Sequence, residues 1–243
     1  MRRGEYGVDA PYGLIAFTIA GIASAGVVIS TWVTTGAVRP APLVPMVFFW
    51  LNAASFWYTT RRGKFEVWDG ILGQLPLRGD ERVLDMGCGR GAVLTAVAKR
   101  LTSGRATGID IWNTHDQSGN AREVTLKNAE IEGVGDRVDV QTGDMRELPF
   151  GDAAFDLVLS SMAIHNISST VERDRAVAEA WRVLKPGGRL AIADIRQTSR
   201  YADTLRRLGA HPVSRRRLGW RFWWGNPIAA TSLVMASKPP QAG

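Results

Sequence analysis

Residues 83–91, VLDMGCGRG, read as the end of a short buried strand, three glycines and the start of a helix. Glycines at Gly87, Gly89 and Gly91 let the backbone turn sharply and approach a ligand closely, with the helix N-terminus aimed at it. The spacing is G-x-G-x-G, which separates it from the G-x-G-x-x-G of dinucleotide-binding loops. An acid, Asp85, stands two residues before the first glycine. A second acid, Asp110, closes the next strand, where a carboxylate accepts the hydroxyls of a ribose.

Working outward, strand and helix alternate from residue 63 onward, which predicts an α/β fold: a doubly wound, seven-stranded, mostly parallel sheet with helices on both faces. Helices are expected at 64–75, 92–101, 120–132, 171–183 and 201–208. Strands are expected at 82–86, 106–110, 138–141, 155–161, 189–195, 213–220 and 230–237. Pro186-Gly187-Gly188 marks a tight turn before the fifth strand.

The chain resembles the class I S-adenosylmethionine-dependent methyltransferases, with their Rossmann-like fold, over residues 64–238. Five motifs carry the resemblance, in order: VLDMGCGRG; GID at 108–110; TGDM at 142–145; FDLVLSSMAIHNI at 155–167; and LKPGGRLAIAD at 184–194. After the fourth strand stands Ser160-Ser-Met-Ala-Ile-His, with no NPPY-type tetrapeptide, so the resemblance is to the small-molecule branch. It implies S-adenosyl-L-methionine as cofactor. Asp85, Gly87 and Gly89 would hold its methionine part, and Asp110 its ribose, with Ile111 and Trp112 beside the adenine. Asp144 would accept from the adenine amino group, beside the backbone N–H of Met145. Ser160 would place a carbonyl near the cofactor ammonium. His165, just beyond the fourth strand at the switch point, is the candidate base or substrate-orienting group, against a purely structural role. Residues 116–120 either cap the following helix or border the cofactor.

The first sixty residues are of another kind. No charged residue lies between Asp9 and Arg39, and residues 12–33 form an apolar run long enough, as a helix, for a bilayer core of about 30 Å. A second uncharged stretch to Thr60 contains Pro45 and Asn52 and is the weaker span. Residues 1–62 are therefore expected to form a transmembrane helical hairpin, and residues 63–243 the catalytic domain. Arg2 and Arg3 precede the hairpin and Arg61, Arg62 and Lys64 follow it, against a lone Arg39 in its turn. The positive-inside rule then puts the domain and both termini on the cytoplasmic side of the cytoplasmic membrane. Two soluble core helices or a signal peptide compete with this reading. Small residues at Ala16/Ala20 and Gly21/Ala25 permit close helix contact and hint at homo-oligomerisation.

The 243 residues carry a net charge of +7, and residues 200–224 hold seven arginines against one aspartate, interleaved with Trp220, Trp223 and Trp224. That segment is expected against the membrane surface, forming part of the acceptor's entrance. A solvated edge with core tryptophans is the plainer reading. A single cysteine, Cys88, and three scattered histidines argue against a metal site. The expected function is methyl transfer from S-adenosylmethionine to a small, lipophilic acceptor, with membrane lipids as partners. Alternatives are a polar acceptor with the hairpin serving location only, and a membrane-anchored scaffold that binds cofactor without turnover. Nucleic acid is disfavoured as a partner, since no stacking motif accompanies the arginines.

Overall fold

The computed structural model describes residues 2–240. Two helices come first, α1 (Pro11–Thr35) and α2 (Pro40–Tyr58), each entered through a proline in its first turn, where the missing N–H has no helical partner anyway. They pack as an antiparallel hairpin. The Trp50 indole lies over Gly21, and Phe56 lies over Gly13, so small residues on one helix receive rings from the other. The apolar residues left over, among them Ile19, Ile22, Val33 and Leu51, point outward and are more than half exposed. The side chains of Thr18, Ser24 and Thr31 donate to carbonyls one turn back within α1. That satisfies their hydroxyls without water.

α2 does not end before the next helix. Residues Thr59–Gly63 make a single wide turn of π-helix, and α3 (Lys64–Gln74) follows with no break in helical backbone. The expected boundary at 62/63 thus falls inside a continuous helix. Gly63 is required at this turn because a methyl group there would collide with the carbonyl oxygen of Arg221. Asn52, a polar residue in an apolar helix, is satisfied: its amide donates to the Phe48 carbonyl, and its oxygen accepts from Asn226.

The rest alternates. The strands are β1 (Arg82–Met86), β2 (Arg105–Asp110), β3 (Val138–Thr142), β4 (Phe155–Ser161), β5 (Leu184–Asp194), β6 (Val213–Arg217) and β7 (Ser232–Ser237). The helices between them are α4 (Ala92–Ala98), α5 (Arg122–Ile131), α6 (Thr170–Val183) and α7 (Thr198–Arg207). The sheet order is β3-β2-β1-β4-β5-β7-β6, parallel except where β7 runs against both neighbours. Successive residues of β1 serve opposite faces, as a period of two requires. Val83 packs with Trp68, Leu72, Leu94 and Val97 from α3 and α4, whereas Leu84 packs with Val177, Tyr201 and Leu205 from α6 and α7.

Two strand ends differ from the sequence reading by three residues or more. β5 begins at Leu184, pairs with Phe155, and shifts register before Arg189 pairs with Leu157, so the Pro-Gly-Gly turn is a bulge inside the strand. β6 stops at Arg217, because Gly219 at φ 79° turns the chain into the helical turn Trp220–Phe222. Arg215, Arg216 and Arg217 occupy this outer edge strand, and charge there discourages edge-to-edge pairing.

Candidate active site

The carboxyl ends of β1 and β4 lie side by side while their connections leave to opposite sides, which opens a crevice at the switch point. A cavity of about 900 Å³ fills it. Gly87 leaves β1 with its N–H and that of Cys88 both donating to the Ile109 carbonyl. At φ 71°, and with a would-be methyl colliding with Ala163, no other residue type fits Gly87 without displacement.

Acids surround the glycine turn. Asp85 is buried at the cavity wall, and neither carboxylate oxygen has a hydrogen-bond partner of full geometry among the described residues. Burial, then the nearby Asp110, push its carboxyl up to about 7, with the Leu94 backbone pulling the other way. Asp110 receives the Gly89 N–H at 2.8 Å on one oxygen and the Trp112 N–H at 2.7 Å on the other. Asn120 also donates to it, and the Asn120 amide oxygen is itself buried without a partner. Burial also raises the Asp116 carboxyl, which His165 draws back down. Unpartnered acceptors facing a partly open, acid-rich cavity are complementary to a positively charged ligand with hydroxyl and amino donors. S-adenosylmethionine has that character, so the residues present fit it.

The cavity wall includes Asp85, Gly87, Gly89, Asp110, Ile111, Asp144, Met145 and His165. Two expected neighbours stand elsewhere. Ser160 is buried within β4, its hydroxyl donating to the Met86 carbonyl at 2.9 Å, and Ser161 takes the place on the wall. The Trp112 indole turns away and donates to Thr142 Oγ1 at 2.7 Å. Asp144 reaches the cavity with its carboxylate already held by the Arg146 guanidinium, which keeps it below the usual carboxylate range. Within 116–120, Gln117 borders the glycine loop. Its amide oxygen accepts the Arg90 N–H, while its NH₂ donates to Asp9 and to the Tyr6 carbonyl. The N-cap of α5 is Ala121 instead, with no side-chain bond.

His165 sits on a short turn (Ile164–Asn166) beyond β4, entered through Met162 at φ 56°. Its Nδ1 lies 2.6 Å from Asp194 Oδ1, off the line of an aligned hydrogen bond, and its backbone N–H donates to Asp194 Oδ2 at 3.0 Å. Asp194 ends β5, is 1% exposed, and also accepts from the Ile195 N–H. Asp194 is therefore a site residue that sequence reasoning missed, although it closes the quoted LKPGGRLAIAD motif. The ion pair of Lys64 and Asp9 was missed as well; both residues are largely buried at the cavity wall, and Thr60 donates to the same carboxylate.

The far end of the cavity reaches the root of the hairpin, through Ala10, Phe56 and Trp224. Phe222 and Trp224 from the arginine-rich segment are buried in the core, as the plainer reading had it, and only Trp220 is widely exposed, stacked on Tyr58. Residues 2–9 roof the glycine loop. Glu132 accepts the N–H groups of Arg3 and Gly4, and Tyr6 is buried with its hydroxyl on Thr95. Among the described residues α1 alone is long and apolar enough to cross a membrane, and almost none of it is buried. α2 falls short of that measure, so the expectation of two spans meets one qualifying helix. A signal sequence near an N-terminus passes the same test.

Residues 84–192 match the family model described as a methyltransferase domain. The 27-O-demethylrifamycin SV methyltransferase of Amycolatopsis mediterranei is 38% identical over 52% of this chain and 43% of its own length. The ubiquinone/menaquinone biosynthesis C-methyltransferase of Ruegeria sp. is 35% identical over 56% of this chain and 51% of its own. The chain thus spans about half the length of the curated relatives it matches. Among solved structures, the [4+2]-cyclase SpnF superposes with a TM-score of 0.60 at 22% identity, over 72% of this chain and 82% of that one. Geranyl diphosphate methyltransferase in complex with S-adenosylmethionine gives 0.56 at 16% identity, over 74% and 86%. These structures share the fold. Residues 84–192 thus match a methyltransferase domain, and the lining of the cavity fits S-adenosylmethionine, the molecule bound in the geranyl diphosphate methyltransferase complex.

Proposed function

We propose that this chain is a membrane-tethered methyltransferase moving a methyl group from S-adenosylmethionine to a small, lipophilic acceptor. One observation carries the reading: a single cavity is lined both by the glycine turn and His165 and by the root of the apolar hairpin. A lipophilic acceptor then passes from bilayer to site along Phe56 and Trp224 without crossing water. Two matched relatives are named for acceptors of this character, a rifamycin and a quinone.

The cofactor supplies an already activated methyl group, so the chain's own work is alignment and exclusion of water. Asp85 and the backbone at Gly87 and Gly89 hold the charged amino-acid end, and Asp110 holds the ribose. Ile111, Met145 and Asp144 border the base, where Asp144 accepts its amino group on exchange with Arg146. A carbonyl at the end of β4, which the resemblance placed at Ser160, faces the ammonium from Ser161. His165, oriented by Asp194, takes the proton from an acceptor that arrives protonated. Residues 1–62 anchor the chain with its domain on the cytoplasmic side, in contact with membrane lipids. Gly21 already packs under Trp50 within the hairpin, so the pair Ala16/Ala20 on α1 offers the seam for a second copy.

Incubation of the full chain with methyl-labelled cofactor and a membrane lipid extract tests this. Label appearing in an organic-phase product supports the reading. Label confined to water-soluble metabolites overturns the lipophilic acceptor, and release of intact protein by carbonate overturns the anchor.

A further inference from the structure

A second cavity, of about 470 Å³, lies beside the first, where the root of the hairpin meets residues 2–8. Four arginines line it: Arg2, Arg61, Arg62 and Arg90. They come from three separate places, namely the N-terminal segment, the π-helical turn after α2, and the glycine loop. Three of them are held by something other than a carboxylate. Arg2 donates to the Arg61 carbonyl at 2.8 Å, with its guanidinium 3.4 Å from the Phe65 ring centre. Arg61 lies over the Trp57 ring at 4.9 Å. Arg90 donates to the Glu5 and Ser118 carbonyls, at 2.9 and 2.8 Å. Glu5 brings the one carboxylate to this wall, and among the described residues it pairs with none of the four.

Four guanidiniums gathered against their mutual repulsion make a receptor for a compact anion with several oxygens, because arginine meets phosphate in a two-pronged fit. Their level identifies the source of that phosphate. Arg61 and Arg62 directly follow the last apolar turn of α2, where Trp57, Tyr58 and Trp220 collect. Aromatic residues followed at once by cations mark the headgroup zone of a cytoplasmic leaflet.

We propose that this pocket binds the headgroup phosphate of an anionic phospholipid. The inference rests on the membrane-tethered reading above. The site has a consequence for the neighbouring cavity, since Arg2 and Tyr6 line both. Arg90 lies between Gly89 and Gly91, and its N–H is held by Gln117. A phosphate on Arg2 and Arg90 fastens residues 2–8 over the glycine loop, so the lipid tightens retention of the cofactor.

The test uses the full chain in neutral maltoside detergent, titrated with dihexanoyl phosphatidylglycerol, dihexanoyl phosphatidylcholine and inorganic phosphate, and read by native mass spectrometry. Phosphatidylglycerol binds and phosphatidylcholine does not. R62Q, whose side chain makes no hydrogen bond among the described residues, weakens phosphatidylglycerol binding about fivefold, the effect of one arginine near an anionic surface. R61Q with R62Q weakens it further, at unchanged thermal melting, whereas R206Q with R207Q on α7 leaves it alone. Phosphatidylglycerol also lowers the dissociation constant of S-adenosylhomocysteine in wild type more than in the double variant. Equal binding of both lipids, or wild-type binding by R62Q, overturns the site. Displacement of the lipid by equimolar inorganic phosphate overturns the lipid as its source. Carbonate extraction of the same protein from membranes is run in parallel. A chain that resists extraction yet ignores phosphatidylglycerol loses this inference alone, and a chain that is extracted loses the tethered reading itself.

Discussion

The catalytic domain and the hairpin spend their apolar residues in opposite ways. In the domain, Val83 and Leu84 on one strand face two different helical layers, and both are fully buried. In α1, Ile15, Ile22, Ile29 and Val33 share one face of the helix and remain at least half exposed, and only Gly21 of the whole helix is buried. Water tolerates the first pattern and opposes the second, at roughly 25 cal/mol for every Å² of apolar surface left wet. Burial inside the chain explains the domain. The hairpin needs an apolar surrounding that the chain itself does not provide.

The sharpest break in the comparison is at Gly87, where the domain has no room at all. Gly87→Ala combines a left-handed backbone with a collision against Ala163, and we expect it to cost roughly 2–5 kcal/mol. Urea unfolding of the detergent-solubilised chain measures this, and loss of S-adenosylhomocysteine binding accompanies it. The hairpin gives the opposite response. Ile22→Lys sits on an exposed face, so it leaves urea stability of the domain unchanged while raising the cost of membrane insertion by about 3–4 kcal/mol. A glycosylation-mapping assay of insertion reads the difference; unchanged insertion would place α1 outside the bilayer.

Asp110→Ala tests the binding machinery with less disturbance to the fold. Removing a charged acceptor of two ribose hydroxyls weakens cofactor binding by roughly 1.5–3 kcal/mol per hydrogen bond at most, as read by calorimetry. The smallest effect is a pH dependence at Asp85. Its folded carboxyl titrates at about 7, well above an ordinary aspartate, so folding holds a proton there. The stability from that proton is full below the ordinary aspartate value and is lost as pH rises through about 7. A cationic cofactor favours the ionised form, so its affinity climbs up to about tenfold per pH unit below 7, levels off above, and binding releases a proton. Calorimetry at pH 6 and 8 in buffers of different ionisation enthalpy measures both, and D85N removes the slope.

Legibility from sequence follows distance along the chain. VLDMGCGRG and FDLVLSS are local patterns, and the strands β1 and β4 stand where those patterns put them, residue for residue. What escaped reading joins distant positions. Asp194 meets His165 across 29 residues, Lys64 meets Asp9 across 55, and Gln117 reaches Asp9 across 108. No periodicity signals such pairs, because they exist only once the sheet order has been set. Ser160 illustrates a finer limit. The resemblance gives Ser160 a role through its carbonyl, whereas side chains alternate across the strand, so its hydroxyl turns to the Met86 carbonyl and Ser161 lines the cavity.

The unbroken helix from Pro40 to Gln74 has a mechanical consequence. A hinged domain on a flexible stalk samples a volume; here α2 runs into α3 with no flexible stalk between them. From Tyr58, at the end of the apolar part, to Trp68, whose indole donates to Ser161 on the cavity wall, the helix advances by ten residues, or about 15 Å. On the membrane-tethered reading proposed above, the mouth of the pocket rides at a set height above the lipid, and the encounter with a lipophilic acceptor becomes a search over a plane. On the same reading a torque on α2, from a change in bilayer thickness or from a neighbouring helix, turns Phe65 and Trp68 on the same shaft, so that a change in the bilayer reaches the wall of the site.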